Sequence, residues 1–272
     1  MFLASRIAYR GVTLIALFAV APIAAWARPM TATEFASVQT AMTCIARNDY
    51  PGAVSRLRPI AAAGVPEAQV MLASMLQEGG HGIQRDYAEA LKWYKAAAEQ
   101  GNLKARLCTG VIYVKGWGTK KDYRQAAQWF VAAGDRDPDA QNNLGYLYLK
   151  GLGVPKDLSK AFQLFQRAAN GGNADAKEAI GQMYYSGTTV EKDFSEARKW
   201  FQSAAQQKCA AAQYKLGVMS VNGDGAAVDE AAARKWFQMA QPGLVEQAKL
   251  GDEDAAADLK ELTSSYAVYL SK

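Results

Sequence analysis

Between residues 140 and 148 the chain reads Ala-Gln-Asn-Asn-Leu-Gly-Tyr-Leu-Tyr, so Ala140, Leu144 and Tyr148 stand four residues apart. That spacing lines one face of an α-helix. The pattern does not occur once. An Asp recurs at Asp86, Asp122, Asp157, Asp193 and Asp229, with spacings of 36, 35, 36 and 36 residues. Seven residues after each comes a large apolar side chain, Trp93, Trp129, Leu164, Trp200 and Trp236, and four further on an alanine, Ala97, Ala133, Ala168, Ala204 and Ala240. Ahead of each Asp a glycine returns at Gly80, Gly116, Gly151, Gly187 and Gly223; two residues later stand Gly82, Gly118, Gly153, Thr189 and Gly225. A fixed period in this range marks an array of small structural repeats.

Each unit predicts two helices. The first ends at the Gly-rich loop, where glycine supplies the positive φ that stops a helix. The Asp then caps the second helix by accepting from a backbone N–H of its first turn. Glu89, Gln125 and Glu196, three residues further on, complete capping-box-like pairs in three units. The second helix is expected to turn its Trp or Leu and its alanines inward, the small Ala allowing close packing. A degenerate half-unit precedes the array, with Tyr50, Ala53 and Gly64 in the places of Tyr87, Ala90 and Gly101. Beyond Ala240, Pro242 and Gly243 predict that the last second helix is kinked or ends early. Residues 252–270 read as a more polar closing helix, the cap that an open array requires.

Composition agrees with packed helices. Of 272 residues 52 are Ala, half the chain is apolar and charged residues make up 21 %; disorder and collagen-like structure are excluded. Residues 1–27 stand apart from the repeat. Arg6 and Arg10 precede an apolar run from Val12 to Ala25, interrupted only by Thr13 and Pro22 and ending in Ala25-Trp26-Ala27. A charged stretch, an apolar stretch and a small-x-small site in that order describe a secretory signal peptide. The run is short for a membrane span of about 20 residues, so stable membrane insertion after cleavage is not expected; the competing reading is an uncleaved anchor. Removing the leader leaves 29 basic and 26 acidic residues. A balance so close to neutral argues against nucleic acid as a partner. The expected location is the periplasm or the exterior.

Little in the chain suggests catalysis. Cys44, Cys108 and Cys209 lie too far apart in the array for internal bridges and form no CxxC pair; they read as buried small apolar residues. The one histidine, His81, sits in Gly79-Gly80-His81-Gly82, in the variable place of a repeat loop. Gly116-Trp117-Gly118-Thr119-Lys120-Lys121 is Gly-rich but lacks the spacing of a phosphate loop. The five Asp are one unit apart and already serve as helix caps, so they do not form a metal array. No catalytic residue, metal or cofactor is expected.

The run Leu144-Gly145-x-x-Tyr148-x-x-Gly151-x-Gly153-Val154-x-x-Asp157-x-x-x-Ala161 resembles the Sel1-like repeat family, relatives of the tetratricopeptide repeat. The departures are Thr189 for Gly, Leu164 for Trp and Ala73 for Gly. Some secreted members of that family carry two Cys per repeat, a pattern this chain lacks. The resemblance implies an all-α, right-handed superhelical solenoid of antiparallel helix pairs. The chain then divides into a leader, 1–27; N-terminal helices with the half-repeat, 28–65; five repeats, 66–243; and a capping helix, 244–272. It also implies that the first helices line a concave surface for another protein or peptide. Carried over by register, its contact positions include Lys104, Lys115, Asn142, Tyr146, Lys150, Gln182, Tyr185 and Tyr214, with Asn142 and Tyr146 the foremost. Relatives act as envelope regulators, scaffolds, host-interaction factors or immunity proteins. The expected role is thus a periplasmic regulator or adaptor, with neutralisation of a delivered toxin as the alternative. An envelope hydrolase acting on β-lactams or cell wall is the rival from another class, and nothing resembles its Ser-x-x-Lys constellation in a suitable fold.

Overall fold

The structure, a computed structural model, describes residues 31–134 and 136–270; the leader assigned to 1–27 lies outside the described residues. The described residues contain thirteen α-helices and no strand, only an isolated bridge between Gly80 and Ile83. They group into two compact units that divide after Gly134.

Unit one holds three helix pairs: α1 (Ala32–Ala46) with α2 (Tyr50–Ala62), α3 (Pro66–Glu78) with α4 (Tyr87–Glu99), and α5 (Leu103–Lys115) with α6 (Tyr123–Ala133). Unit two holds α7 (Pro138–Lys150) with α8 (Leu158–Asn170), α9 (Ala174–Ser186) with α10 (Phe194–Gln206), α11 (Ala210–Asn222) with α12 (Glu230–Lys249), and then α13 (Glu253–Ser265) and a 3-10 turn, Ala267–Tyr269. Within each unit, consecutive helices pack on one another.

The caps explain where the second helices begin. Asp49, Asp86, Asp122, Asp157, Asp193 and Asp229 accept from the backbone N–H of Gly52, Glu89, Gln125, Lys160, Glu196 and Ala232, at 2.8 to 3.0 Å. Each satisfies a donor that the first turn would otherwise leave open. Asp49 belongs to the same series, and α1 stands before α2 as its first helix, so the half-repeat is a full helix pair. The expected capping boxes do not form. Glu89 pairs instead with the Arg58 guanidinium and accepts from Trp93 Nε1 at 3.1 Å. Glu196 takes Lys199 at 2.6 Å, and Gln125 Nε2 donates to the Asp122 carboxylate at 3.2 Å. For Glu89 and Glu196 a neighbouring cation is a stronger partner than a backbone N–H, and the Asp122 N–H already donates to the Tyr113 carbonyl at 2.9 Å. The reciprocal box is made elsewhere, between Thr31 and Glu34.

The core corrects the assignment of the Trp column. Trp93, Trp129, Trp200 and Trp236 are half-buried. The fully buried ring is the next residue in each unit: Tyr94, Phe130, Phe165, Phe201 and Phe237, none more than 2 % exposed. One residue turns a helical side chain by about 100°, so the two columns face different ways. The Phe column explains a glycine of the first helix. A Cβ on Gly110, Gly145, Gly181 or Gly217 would stand 2.4 to 2.8 Å from a ring atom of Phe130, Phe165, Phe201 or Phe237. Each Gly–Phe contact is thus a close backbone-on-ring approach, and a Cβ there would force the ring to shift.

The last pair brings a further correction. Helix α12 neither ends nor breaks at Pro242 but runs 20 residues to Lys249. Proline forfeits one ladder bond, yet the far half is tied down by packing. Leu244 is fully buried, and Gly243 approaches α11 so closely that a Cβ there would lie 2.7 Å from that of Ala210.

Candidate partner-binding surface

In unit one, Lys104 and Lys115 sit at the two ends of α5, both half-exposed. Lys115 lies in the last turn, where a cation is favoured by the helix dipole. Between them the inner register holds Leu107, Val111 and Val114, all buried. His81 and the Gly-rich loop at 116–121 have packing roles here. His81 adopts φ 50° and stacks on Tyr50 with ring centroids 4.5 Å apart. Trp117 stacks in the same way on Tyr87, at 5.3 Å. A Cβ on Gly118 would stand 2.5 Å from the backbone nitrogen of Ala88, so this glycine lets the loop lie against the start of α4. An open cleft of about 500 Å³ lies between α1 and α2, lined by Thr33, Ser37, Thr40, Ser55 and Arg56 among others. The Ser37 and Thr40 hydroxyls donate back to helix carbonyls, so they do not converge on the cleft.

Two carboxylates of unit one are shifted in opposite directions. Glu89 lies below the ordinary carboxylate range because it accepts from the Arg58 guanidinium, with desolvation opposing and Trp93 helping. Glu78 is pushed up by burial, with the positive influence of His81 opposing.

Unit two carries most of the sequence-predicted contacts, and they part company. Lys150 is exposed; Gln182 and Tyr185 are half-buried. Tyr185 is already engaged, since its hydroxyl donates to Asp224 Oδ2 at 3.0 Å and its ring tilts on Phe194. Asn142, Tyr146 and Tyr214, expected to project from a concave face, are at most 3 % exposed. The rings have a packing reason. Tyr146 follows the glycine that admits Phe165 and stands edge-on to that ring at 4.9 Å. Tyr214 lies 5.9 Å from Phe237 and 6.4 Å from Tyr266. Its phenol is pushed far up, chiefly by burial and then by the Glu261 carboxylate.

Asn142 differs from its neighbours. It and Asn143 are both fully buried, and neither side-chain amide makes a hydrogen bond through its oxygen or its nitrogen. A buried amide without a partner costs about 1–3 kcal/mol, so packing alone gives no reason for two of them side by side on α7. Asn143 was not among the sequence candidates. Its adjacency to Asn142 was visible, but its burial depends on tertiary contacts. Among the described residues no group of three or more His, Cys, Asp or Glu is arranged to hold a metal, and no helix is long and apolar enough to cross a membrane.

Stacked helix pairs, each with an Asp cap on its second helix and four of them with a Gly–Phe contact, define an all-α solenoid-repeat protein. Sel1 repeat models match residues 66–102, 105–137, 138–173, 174–209 and 210–240, and the chain belongs to the Sel1 repeat family. Such repeats generally serve as protein-interaction scaffolds. The fold is similar to the crystal structure of a Sel1 repeat protein from Oxalobacter formigenes, 27 % identical, with a TM-score of 0.71 over 87 % of this chain and 91 % of that one. It is also similar to c5321, a protective antigen of uropathogenic Escherichia coli with an SLR fold, 29 % identical, with a TM-score of 0.67 over 84 % of this chain but 48 % of that one. Immunity protein PA5088 from Pseudomonas aeruginosa, 17 % identical with a TM-score of 0.53 over 81 % of this chain and 85 % of that one, shares the fold alone. No curated protein matches the sequence.

Proposed function

We propose that this chain is an exported periplasmic scaffold that binds another protein, acting as a regulator or adaptor, and that α7 of unit two is central to recognition. The observation that carries the reading is the pair of unpartnered amides, Asn142 and Asn143. An amide offers both a donor and an acceptor, the two groups that a peptide backbone also offers. Side chains kept at a cost to folding are expected where binding needs them. The partner engages them when the inner face of α7 opens, and the incoming backbone supplies the missing bonds. Export rests on the order of charge, apolar run and small-x-small site in residues 1–27. Toxin neutralisation gains nothing from a fold shared at 17 % identity, and the ring stacking of His81 on Tyr50 gives a hydrolase no positioned base.

The test separates folding from binding. Asn142→Leu and Asn143→Leu each remove an unsatisfied amide at similar size. Each is expected to leave the melting temperature unchanged or raise stability by about 1–3 kcal/mol, while capture of the envelope partner by tagged protein is lost. Variants that melt lower and still capture the partner would sink the proposal. For export, N-terminal sequencing of the protein from the periplasmic fraction should begin at Arg28; an intact Met1 in a cytosolic fraction argues the other way.

A further inference from the structure

Unit two is closed by a segment that the repeat does not require. After α13 the chain makes one 3-10 turn, Ala267–Tyr269, with Tyr266 before it and Leu270 after it. Residues three apart in such a turn eclipse one another, so Tyr266 and Tyr269 face the same way. Both meet Phe237: Tyr266 stacks on it at 4.8 Å and 25°, and Tyr269 lies tilted at 5.6 Å. Tyr266 also stands edge-on to Tyr214. From α12, Arg234 donates to the Val268 carbonyl at 3.2 Å and lays its guanidinium 5.9 Å from the Tyr269 ring centre. Leu270 packs at the edge of the same cluster.

This segment covers its slot incompletely. Val268 points outward at 64 % exposure, and Ala267 is exposed. Beneath it the Tyr214 hydroxyl is buried beside the Glu261 carboxylate. The segment satisfies the apolar part of the slot and leaves Ala267 and Val268 in solvent. A resident that fits imperfectly, held by one turn of chain, is one that a better-matched segment displaces.

We propose that Tyr266–Leu270 is a displaceable strap over a binding slot formed by Tyr214, Phe237 and Arg234, and that the slot accepts a partner peptide carrying two aromatic side chains three residues apart. It rests on the reading of the chain as a protein-binding scaffold and adds the kind of segment bound. In the closed form the strap competes at the high effective concentration of a tethered segment.

The experiment uses the full chain and a fluorescent peptide of residues 265–272, Ser-Tyr-Ala-Val-Tyr-Leu-Ser-Lys, with a control peptide in which both Tyr are Ala. The Tyr266→Ala, Tyr269→Ala protein is expected to bind the probe at least about tenfold more tightly than the wild type, by anisotropy, and neither protein to bind the control. Equal or absent binding by a variant that melts like the wild type overturns the proposal. Should that variant fold poorly, Arg234→Gln keeps all the rings and loosens only the clasp. Faster amide exchange in 266–270 without change in α11 supports the strap, and unchanged exchange there overturns it. Neither measurement involves α7 or the envelope partner, so the strap and the amide site fail separately.

Discussion

The two units have the same skeleton and different inner registers. Unit one places Leu107, Val111 and Val114 along the register where unit two places Asn142 and Tyr146 on α7 and Gln182 and Tyr185 on α9. Residues 31–134 carry 12 basic and 8 acidic side chains, and residues 136–270 carry 15 and 17. The caps and the Gly–Phe contacts are common to both. Positions that the skeleton uses are therefore repeated, and chemistry varies only where it leaves them free. Substitutions in the skeleton should harm either unit alike, whereas those at the variable register should distinguish them.

The largest effect follows from the skeleton. Phe130→Ala in unit one and Phe165→Ala in unit two are each expected to cost about 3–5 kcal/mol in urea unfolding, the usual range for a buried ring. The half-buried neighbours Trp129→Ala and Trp200→Ala should cost roughly 1–2 kcal/mol, since less apolar surface leaves water there. If the Trp variants proved as damaging as the Phe variants, the core would lie on the Trp column after all.

That test bears on what the sequence could disclose. The period, the capping Asp and the stopping Gly were legible because each acts through backbone within a few residues of itself. The core ring was misassigned by a single position. The Trp column at seven residues past the Asp is conspicuous, but the column one residue on is aromatic in every unit and stands 20 residues after Gly110, Gly145, Gly181 and Gly217. That Gly–Phe spacing was the available signal. The candidate site was less readable still. Register alone places Tyr146 and Tyr214 on an inner face, but whether a ring there projects or packs depends on Phe165, Phe237 and the C-terminal turn, which come from other helices. The capping boxes failed for a similar reason, because Arg58 lies 31 residues from Glu89 in the chain.

A smaller effect compares two caps within unit two. At the start of α9, Asn173 accepts from the Ala176 N–H at 2.7 Å and donates to Asp139 Oδ1 at 2.7 Å. At the start of α11 the same place holds Cys209, with no side-chain cap and its sulfur 4.0 Å from Asp175 Oδ1. Cys209→Asn would restore the cap and give Asp175 a stronger donor. A gain of about 1 kcal/mol is expected, seen as a raised melting temperature. A loss would mean that the buried thiol contributes more by packing than the cap would add.

The smallest effect sets the units against each other by pH. In unit one Glu89 lies below its ordinary range because Arg58 hydrogen-bonds it. A depressed folded pKa gives stability that is present above the unfolded value and lost as pH falls through the folded one. Acid therefore weakens the Arg58–Glu89 contact, by about 0–1 kcal/mol for so exposed a pair. Glu78 works the other way, since burial raises it and protonation relieves that penalty. Glu89→Gln should thus flatten the acid limb of a melting-temperature profile. In unit two three phenols are shifted: Tyr214, Tyr185 and Tyr266 are all raised, first of all by burial. A raised folded pKa gives stability that is full below the unfolded value, about 10 for tyrosine, and lost as pH climbs beyond it. Tyr214→Phe should flatten the alkaline limb and leave the acid limb alone, while Glu89→Gln does the reverse. If each substitution altered both limbs equally, the pH response could not be divided between the units in this way.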